Sequence, residues 1–384
     1  MLFINYRTFS ATDAVFSETL SQLLKNIPEK ERVLTISIFG WITDDDYLPN
    51  LEIIKQTSQQ IFGQLPLLSY VAQSPQDKQT LIVEVGYLTD GISASAVNFH
   101  EIASVRYLTI DTKEFSALLM EGLMCDNLQK SIREQSSEIF NTVQRIFNEA
   151  CMSTENIVRQ WNYIGQITAI ENNRQNYQEF NNERARFYAS ANWKDGFPAA
   201  TGISMNIHAV IVSLIAVNYH DNTRILTLNN SLQLAAHSYS ETVLGKSENK
   251  ETPKFERAKI IAKGESGCCF ISGTAAILGE NSLGNEAVET QTSQTIALIR
   301  HLISPENLKV NGIDFSGELK IVHLRVYVKN TADFELVRQV VGTEFREVSV
   351  FYVCAPVCRA ELLVEIEGIA TTEGNQMPKK QGNK

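Results

Sequence analysis

"CRAELLVEIEGIA", from Cys358 to Ala370, is the stretch that decides how this chain reads. Leu362, Leu363, Val364, Ile366 and Ile369 have the apolar density of a buried strand. Side chains alternate along a strand, so Glu365 and Glu367 leave it on one face. A carboxyl at the mouth of an apolar pocket is an acid whose pKa its surroundings can set, whereas an edge-strand glutamate is only solvated. An arginine and a cysteine, Arg359 and Cys358, stand just before the pair.

Outward from this strand the later half alternates in type. It reads as strand 268–278, helix 285–303, strand 319–330, helix 332–342, strand 348–357 and strand 361–370. That order predicts a mixed sheet with both helices packed on one face. Upstream, strand-like runs at 32–41, 80–88 and 104–110 interleave with helix-like runs at 14–27 and 51–65, which predicts a second α/β lobe. From 111 to 164 the pattern turns helical, with Ile139, Val143, Ile146 and Phe147 at helical spacing. "HAVIVSLIAVNY" (208–219) reads as a core strand pair, and the polar "GKSENKETPKFERAK" (245–259) as a loop or hairpin excursion. The expected organisation is an N-terminal α/β lobe with its linking helix (1–150), a catalytic region (151–372) and a disordered tail (373–384), α/β (α+β) overall. No internal repeat is visible in the sequence.

Composition narrows the function. A net charge of −10 repels nucleic acid and anionic membranes at long range. No apolar run reaches the ~20 residues of a membrane helix. The start "MLFINYRTFS" lacks a basic segment leading into an apolar one, so a cytoplasmic location is expected. Six cysteines in a chain of this length predict reduced thiols. Cys354 and Cys358 lack a second cysteine pair, and the six histidines have no ligand spacing, so no metal is expected. Neither a phosphate loop nor a GxSxG elbow is present, and no cofactor is expected.

What remains is a set of arginines and phenols. Arg174, Arg184, Arg186, Arg338 and Arg359 lie in elements that also carry Tyr, Gln or Glu, and guanidinium forks match carboxylates bidentately. "WNYIGQITAIENNRQNYQEFNNERARFY" (161–188) and "GFPAATGI" (196–203) crowd tyrosines and amides together, as the wall of a polar pocket would. On composition alone, salt bridges and an aromatic subdomain contact explain these features equally well.

"FISGTAAILG" (270–279), the helix with Gln291 and Gln294, and the closing "CRAELLVEIEGIA" together resemble the Rid/YjgF-like fold. "WNYI", "NYQEFNNERARFY" and "GFPAATGI", joined to that ending, resemble the chorismatase family over residues 161–370. The resemblance implies an enzyme that removes the enolpyruvyl group of chorismate, a dianion, as pyruvate. It makes Glu365 the catalytic acid and Arg338 a carboxylate clamp. Arg174 or Arg184 would hold the other carboxylate, with Tyr163 and Tyr177 hydrogen bonding to the ligand. A cysteine at Cys358 is similar to the type that forms 3-hydroxybenzoate, an aromatic starter unit for a pigment or other secondary metabolite. Its thiol could act as a nucleophile or acid/base on the ring, and the bland alternative is a small buried hydrophobe. Open beside this reading are hydrolysis to a dihydroxycyclohexadienoate, a Rid-like imine hydrolase with Arg359 as carboxylate ligand, and a silent binding protein. The sequence sets no oligomeric state, and a monomer is compatible with it.

Overall fold

The computed structural model of the chain describes residues 3–13, 15–171, 173–240, 251–284 and 286–372. The expected tail, 373–384, lies outside them. The first sheet holds β1 (Ile4–Thr12), β2 (Val33–Phe39), β3 (Leu67–Val71) and β4 (Thr80–Leu88), in the order β1-β4-β2-β3. The second is built from β5 (Val97–Ile102), β6 (Val105–Asp111), β7 (Phe115–Met124) and β8 (Ile157–Gly165). A short arm, β9 (Ile170–Glu171) and β10 (Arg174–Gln175), precedes its last strands, β11 (Ala199–Met205) and β12 (Val210–Tyr219). The order is β11-β8-β12-β7-β6-β5. The third begins with β13 (Arg224–Leu228), β14 (Ala258–Lys263) and β15 (Ser266–Thr274), followed by a small hairpin, β16 (Ile277–Leu278) and β17 (Asn281–Ser282). It closes with β18 (Lys320–Val328), β19 (Ser349–Cys354) and β20 (Val364–Thr371), in the order β13-β14-β15-β20-β18-β19. The helices are α1 (Phe16–Asn26), α2 (Asp44–Phe62), α3 (Ile132–Glu149), α4 (Asn176–Tyr188), α5 (Val288–Leu302), α6 (Pro305–Val310) and α7 (Phe334–Glu344).

These elements form one unit three times. β1-α1-β2-α2-β3-β4, β7-α3-β8-α4-β11-β12 and β15-α5-β18-α7-β19-β20 share a strand order. In each, the second and third strands are parallel, and the fourth runs antiparallel between the first and second. The second and third units carry an extra hairpin in front. A bulge fixes their alignment, because the register skips one residue at the same place in each pair: between Val33 and Thr35, between Ile215 and Ala216, and between Ile321 and His323. Thr35, Arg159 and His323 are therefore equivalent positions, as are Glu84, Ser213 and Glu367.

Local chemistry explains the elements. Ser131 and Glu134 form a capping box at the start of α3, whose face of Ile139, Phe140, Val143, Ile146 and Phe147 is buried. On α7, Phe334, Val337 and Val341 face the third sheet, and α5 packs beside it, so both helices cover one face as the strand and helix order predicts. Three expectations need correction. Residues 115–124 form strand β7, because the second sheet supplies partners on both of its edges. The boundary placed at 150 therefore falls inside the second unit. Residues 210–219 form one long strand rather than a pair, bulged at Ser213.

The inner faces of the sheets meet around a polar centre. Glu84 of β4 accepts from His323 Nε2 (2.6 Å) and Arg325 Nε (3.0 Å). Arg325 also donates to the Tyr163 hydroxyl (2.8 Å) and lies 3.2 Å from Glu367. Glu367 accepts from Trp161 Nε1 (3.0 Å), the Tyr327 hydroxyl (3.0 Å), Arg159 and Thr201. Burial alone would raise the pKa of Glu84, but the Arg325 guanidinium, with the His323 imidazole beside it, brings it down to about 2. Nearby Glu121 accepts from Ser37 (2.8 Å) and Ser213 (3.0 Å), and burial pushes its pKa up to about 7.

Candidate active site

A cavity of ≈ 120 Å³ lies on the seam between the second and third units. That is an order of magnitude above what one water requires. The second unit contributes Tyr177 and Asn181 of α4 and Ala200 and Gly202 of β11, and the third contributes Gly273, Cys358, Arg359 and Glu365. β11 docks on β15 through Ala200 N–H to the Ser272 hydroxyl (2.9 Å) and Gly273 N–H to the Thr201 hydroxyl (3.0 Å).

Glu365 is opposite Tyr327 on β18. The same register position in the first two units carries Ile82 and Ile211, so only one of the three equivalent positions bears a carboxyl. Glu365 is buried, and no described residue donates a hydrogen bond to it. Burial pushes its pKa up to about 8; the charge of Glu367 adds to this, and Arg257 and Arg159 oppose it. The carboxyl is therefore held protonated at neutral pH in a cavity. Glu367, two residues on, spends its charge on the polar centre.

β15 makes room for this acid. Ser272 and Gly273 bulge opposite the single residue Glu367, and a Cβ at Gly273 would overlap the Glu365 carboxyl, lying 3.0 Å from its Cδ and 3.1 Å from Thr201 Cγ2. The side chain at this position therefore controls where the carboxyl can sit. Gly273→Ala should displace the Glu365 carboxyl and lower turnover at least ~10-fold, since small misplacements of a reacting group are costly. Steady-state kinetics check this, and an unchanged rate with an unmoved carboxyl refutes it.

Two guanidiniums line the cavity. Arg257 donates to Leu234 C=O (2.8 Å) and the Tyr239 hydroxyl (2.7 Å), while its Nε is buried without a partner. Arg359 donates to Glu280 C=O (2.8 Å) and the Ser282 hydroxyl (2.9 Å), while its Nη2 is buried without a partner. Two arginines on a cavity wall, each keeping a donor that no described residue takes, suit anionic oxygens. Cys358 also lines the wall. Burial, reinforced by Glu365, pushes its thiol up to about 12, so it stands there as a neutral thiol and not as a thiolate nucleophile.

The residues expected from sequence divide. Glu365, Cys358, Tyr177 and Arg359 line the cavity. Tyr163 does not; it is buried in the polar centre on Arg325. Arg174 is exposed on the β10 arm and paired to Glu179 at 3.3 Å. Arg338 is exposed and stacked over Phe334 and Tyr352, with 5.2 Å to the latter ring. Its helix, α7, belongs to the third unit, whereas the cavity takes its helix from the second. Arg184 is buried behind the wall, with Nη2 on Asn181 Oδ1 at 2.7 Å. Sequence reasoning missed Arg257, Asn181, Tyr239 and Gly273. Arg257 falls in the supposed polar excursion, yet 256–259 are buried and lead into β14. The charge lodged against the apolar run "AKIIA" was the signal that could have revealed it. Among the described residues no cluster of three or more His, Cys, Asp or Glu is placed to hold a metal. None of their helices is long and apolar enough to cross a membrane.

Fold and site define a protein of three α/β units of one strand order, with an acid-bearing seam between the second and third. The profile of the chorismatase FkbO/Hyg5-like N-terminal domain matches residues 94–216, and that of endoribonuclease L-PSP matches 260–372. The chain thus carries a chorismatase FkbO/Hyg5-like N-terminal domain followed by a Rid/L-PSP domain. A 3-hydroxybenzoate synthase of Streptomyces hygroscopicus is 31% identical over 226 residues, 56% of this chain and 63% of that protein. A chorismatase of the same organism is 30% identical over 217 residues, 56% of this chain and 61% of the other. The chain thus spans less than two thirds of either relative in alignment. A chorismatase crystal structure shares the fold, with a TM-score of 0.68 and 20% identity over 96% of this chain and 99% of that one.

Proposed function

We propose that the protein cleaves chorismate, releasing pyruvate and forming 3-hydroxybenzoate. The observation that carries this reading is a buried carboxyl, Glu365, without a hydrogen-bond partner among the described residues, in a cavity whose wall also holds Arg257 and Arg359; burial raises its pKa to about 8. The two guanidiniums receive the two carboxylates of the substrate. Glu365 then gives its proton to the methylene carbon of the enolpyruvyl vinyl ether, producing an oxocarbenium ion and a carboxylate. The C4 hydroxyl oxygen closes onto C3 as the C3–ether bond breaks and pyruvate leaves, and the hydroxyl proton returns to the Glu365 carboxylate. The resulting 3,4-epoxide opens at its C4–oxygen bond, and loss of the C3 proton leaves an aromatic ring with its hydroxyl on C3. Chorismate has the composition of 3-hydroxybenzoate plus pyruvic acid, so no water is consumed.

The neutral thiol of Cys358 favours this product over the dihydroxycyclohexadienoate, because it puts a weak proton carrier beside Glu365 in place of an inert wall. Purified protein is incubated with chorismate, pyruvate is coupled to lactate dehydrogenase, and the ring product is separated by chromatography. Pyruvate and 3-hydroxybenzoate are expected in equal amounts; no pyruvate refutes the reading. Cys358→Ala should retain pyruvate release and shift the ring product toward the dihydroxycyclohexadienoate. An unchanged product makes the thiol a packing residue only.

A further inference from the structure

One position on the third strand of each unit separates the wall of the cavity from its two counterparts. Ile38, Asn162 and Val326 are equivalent, three residues beyond Thr35, Arg159 and His323, and their parallel partners are Tyr70, Gly202 and Tyr352. β3 packs on β7 and β19 on β1, as β11 does on β15, so Tyr70 and Tyr352 belong to the strands of the other two seams. Only β11, the one of the three that lines the cavity, has no side chain at this position. Two residues earlier, Ala200 stands where the other strands carry Leu68 and Val350.

In every unit a side chain of the second helix covers the position. Tyr47 of α2 stacks on Tyr70, with ring centroids 5.3 Å apart and planes inclined by 6°, and the Arg338 guanidinium of α7 lies 5.2 Å from the centre of the Tyr352 ring. Tyr177 of α4 has no ring beneath it and rests on the strand itself. A Cβ at Gly202 would come 3.0 Å from its Cε2 and 3.7 Å from its Cζ. Glycine inside a strand marks this kind of close approach. Tyr177 and Glu365 then both face the cavity, one from α4 and the other from β20.

We propose that Gly202 is a specificity-determining residue of the cavity: it lets the Tyr177 phenol settle onto β11, and the layer the phenol leaves free is the room in which the ligand ring lies. This deepens the chorismate reading and rests on it. A side chain at position 202 narrows the site without touching Glu365 or either guanidinium, so it acts on which ring is admitted before it acts on the proton transfer.

Gly202→Ala should push the phenol outward and raise KM for chorismate about 10-fold with kcat changed less, the scale of one methyl group in a fitted pocket. An unchanged KM overturns the assignment. Tyr177→Ala removes the ring that the new methyl meets, so adding Gly202→Ala to it should lower kcat/KM no further. A full second loss would show that the glycine acts on the ligand or the backbone directly, and it overturns the proposal. Gly202→Tyr installs the residue of the other two seams and should abolish turnover with the urea midpoint kept near that of wild type; turnover at the wild-type rate refutes the assignment. Should that variant not fold, Gly202→Ala decides. A second arm needs no turnover: in ligand-free crystals of Gly202→Ala the Tyr177 ring should stand farther from β11, and a ring that has not moved overturns the proposal. Wild-type protein that releases no pyruvate defeats the chorismate reading, while the crystals still decide whether Gly202 sets the depth of Tyr177.

Discussion

Glu365→Gln is expected to lower pyruvate release from chorismate by roughly 10² to 10⁴-fold, the range that general acid catalysis contributes. Gln keeps the size and a hydrogen-bonding end but has no proton to give, so binding of 3-hydroxybenzoate should survive. Loss of binding together with turnover would make Glu365 a structural residue instead. The pH dependence follows from the direction of the shift. The carboxyl is the reactive form below about 8, so turnover should fall as pH rises through that value. Stability has a matching sign. An unfolded glutamate titrates near 4.3, so between there and about 8 the folded chain holds a proton the unfolded chain has lost, and wild-type stability declines as pH rises. Glu365→Gln lacks this penalty. It should be more stable than wild type at pH 9, by on the order of a few kcal/mol, and equal to it near pH 4. Urea midpoints at the two pH values measure this, and an identical difference at both would mean that the carboxyl is not protonated in its folded setting.

The second large effect is at the polar centre. Glu84→Gln should destabilise the fold by ~3–5 kcal/mol, because it removes the buried carboxylate that holds Arg325 and His323 and leaves Glu367 as the remaining partner of Arg325. Glu84 has the opposite sign of shift from Glu365. Its carboxyl is held down to about 2, so the stability it provides is fully present above the unfolded value and lost as pH falls from ~4.3 through about 2. The gap between wild type and Glu84→Gln should therefore narrow below pH 4. Adding Arg325→Met to Glu84→Leu should recover part of the loss, since an apolar replacement of both partners removes the stranded charge. A double variant worse than either single would show that Arg325 has a role beyond its pairing with Glu84.

How far the chain could be read without its structure depended on whether the signal was local. The alternation in "ELLVEIEGIA" located an acid-bearing strand, and β20 runs over Val364–Thr371. The same criterion, a charge inside an apolar strand, applies to "KIVHLRVYV" and "IVRQWNYIG", where His323, Arg325 and Arg159 turn out to be buried. The chorismatase resemblance implied Arg338 as a clamp, yet α7 leaves it exposed over Phe334 and Tyr352, away from the cavity lining. The threefold repetition was invisible because it is a repetition of topology: equivalent positions carry Thr35, Arg159 and His323, with no shared chemistry. Strand pairing requires only compatible backbones and burial, so the residues were free to diverge.

By itself the sequence determined that two carboxyls leave one face of a C-terminal strand, since that depends only on the two-residue period of a β-strand. It could not determine that one would be tied into a hydrogen-bonded centre and the other would line a cavity. That was decided when Arg159, Trp161, Arg325 and Tyr327 closed around Glu367, while a glycine bulge left Glu365 facing an unfilled seam. A carboxyl's proton affinity is set by the charges and donors within a few ångströms of it, and those come from strands far apart in the chain.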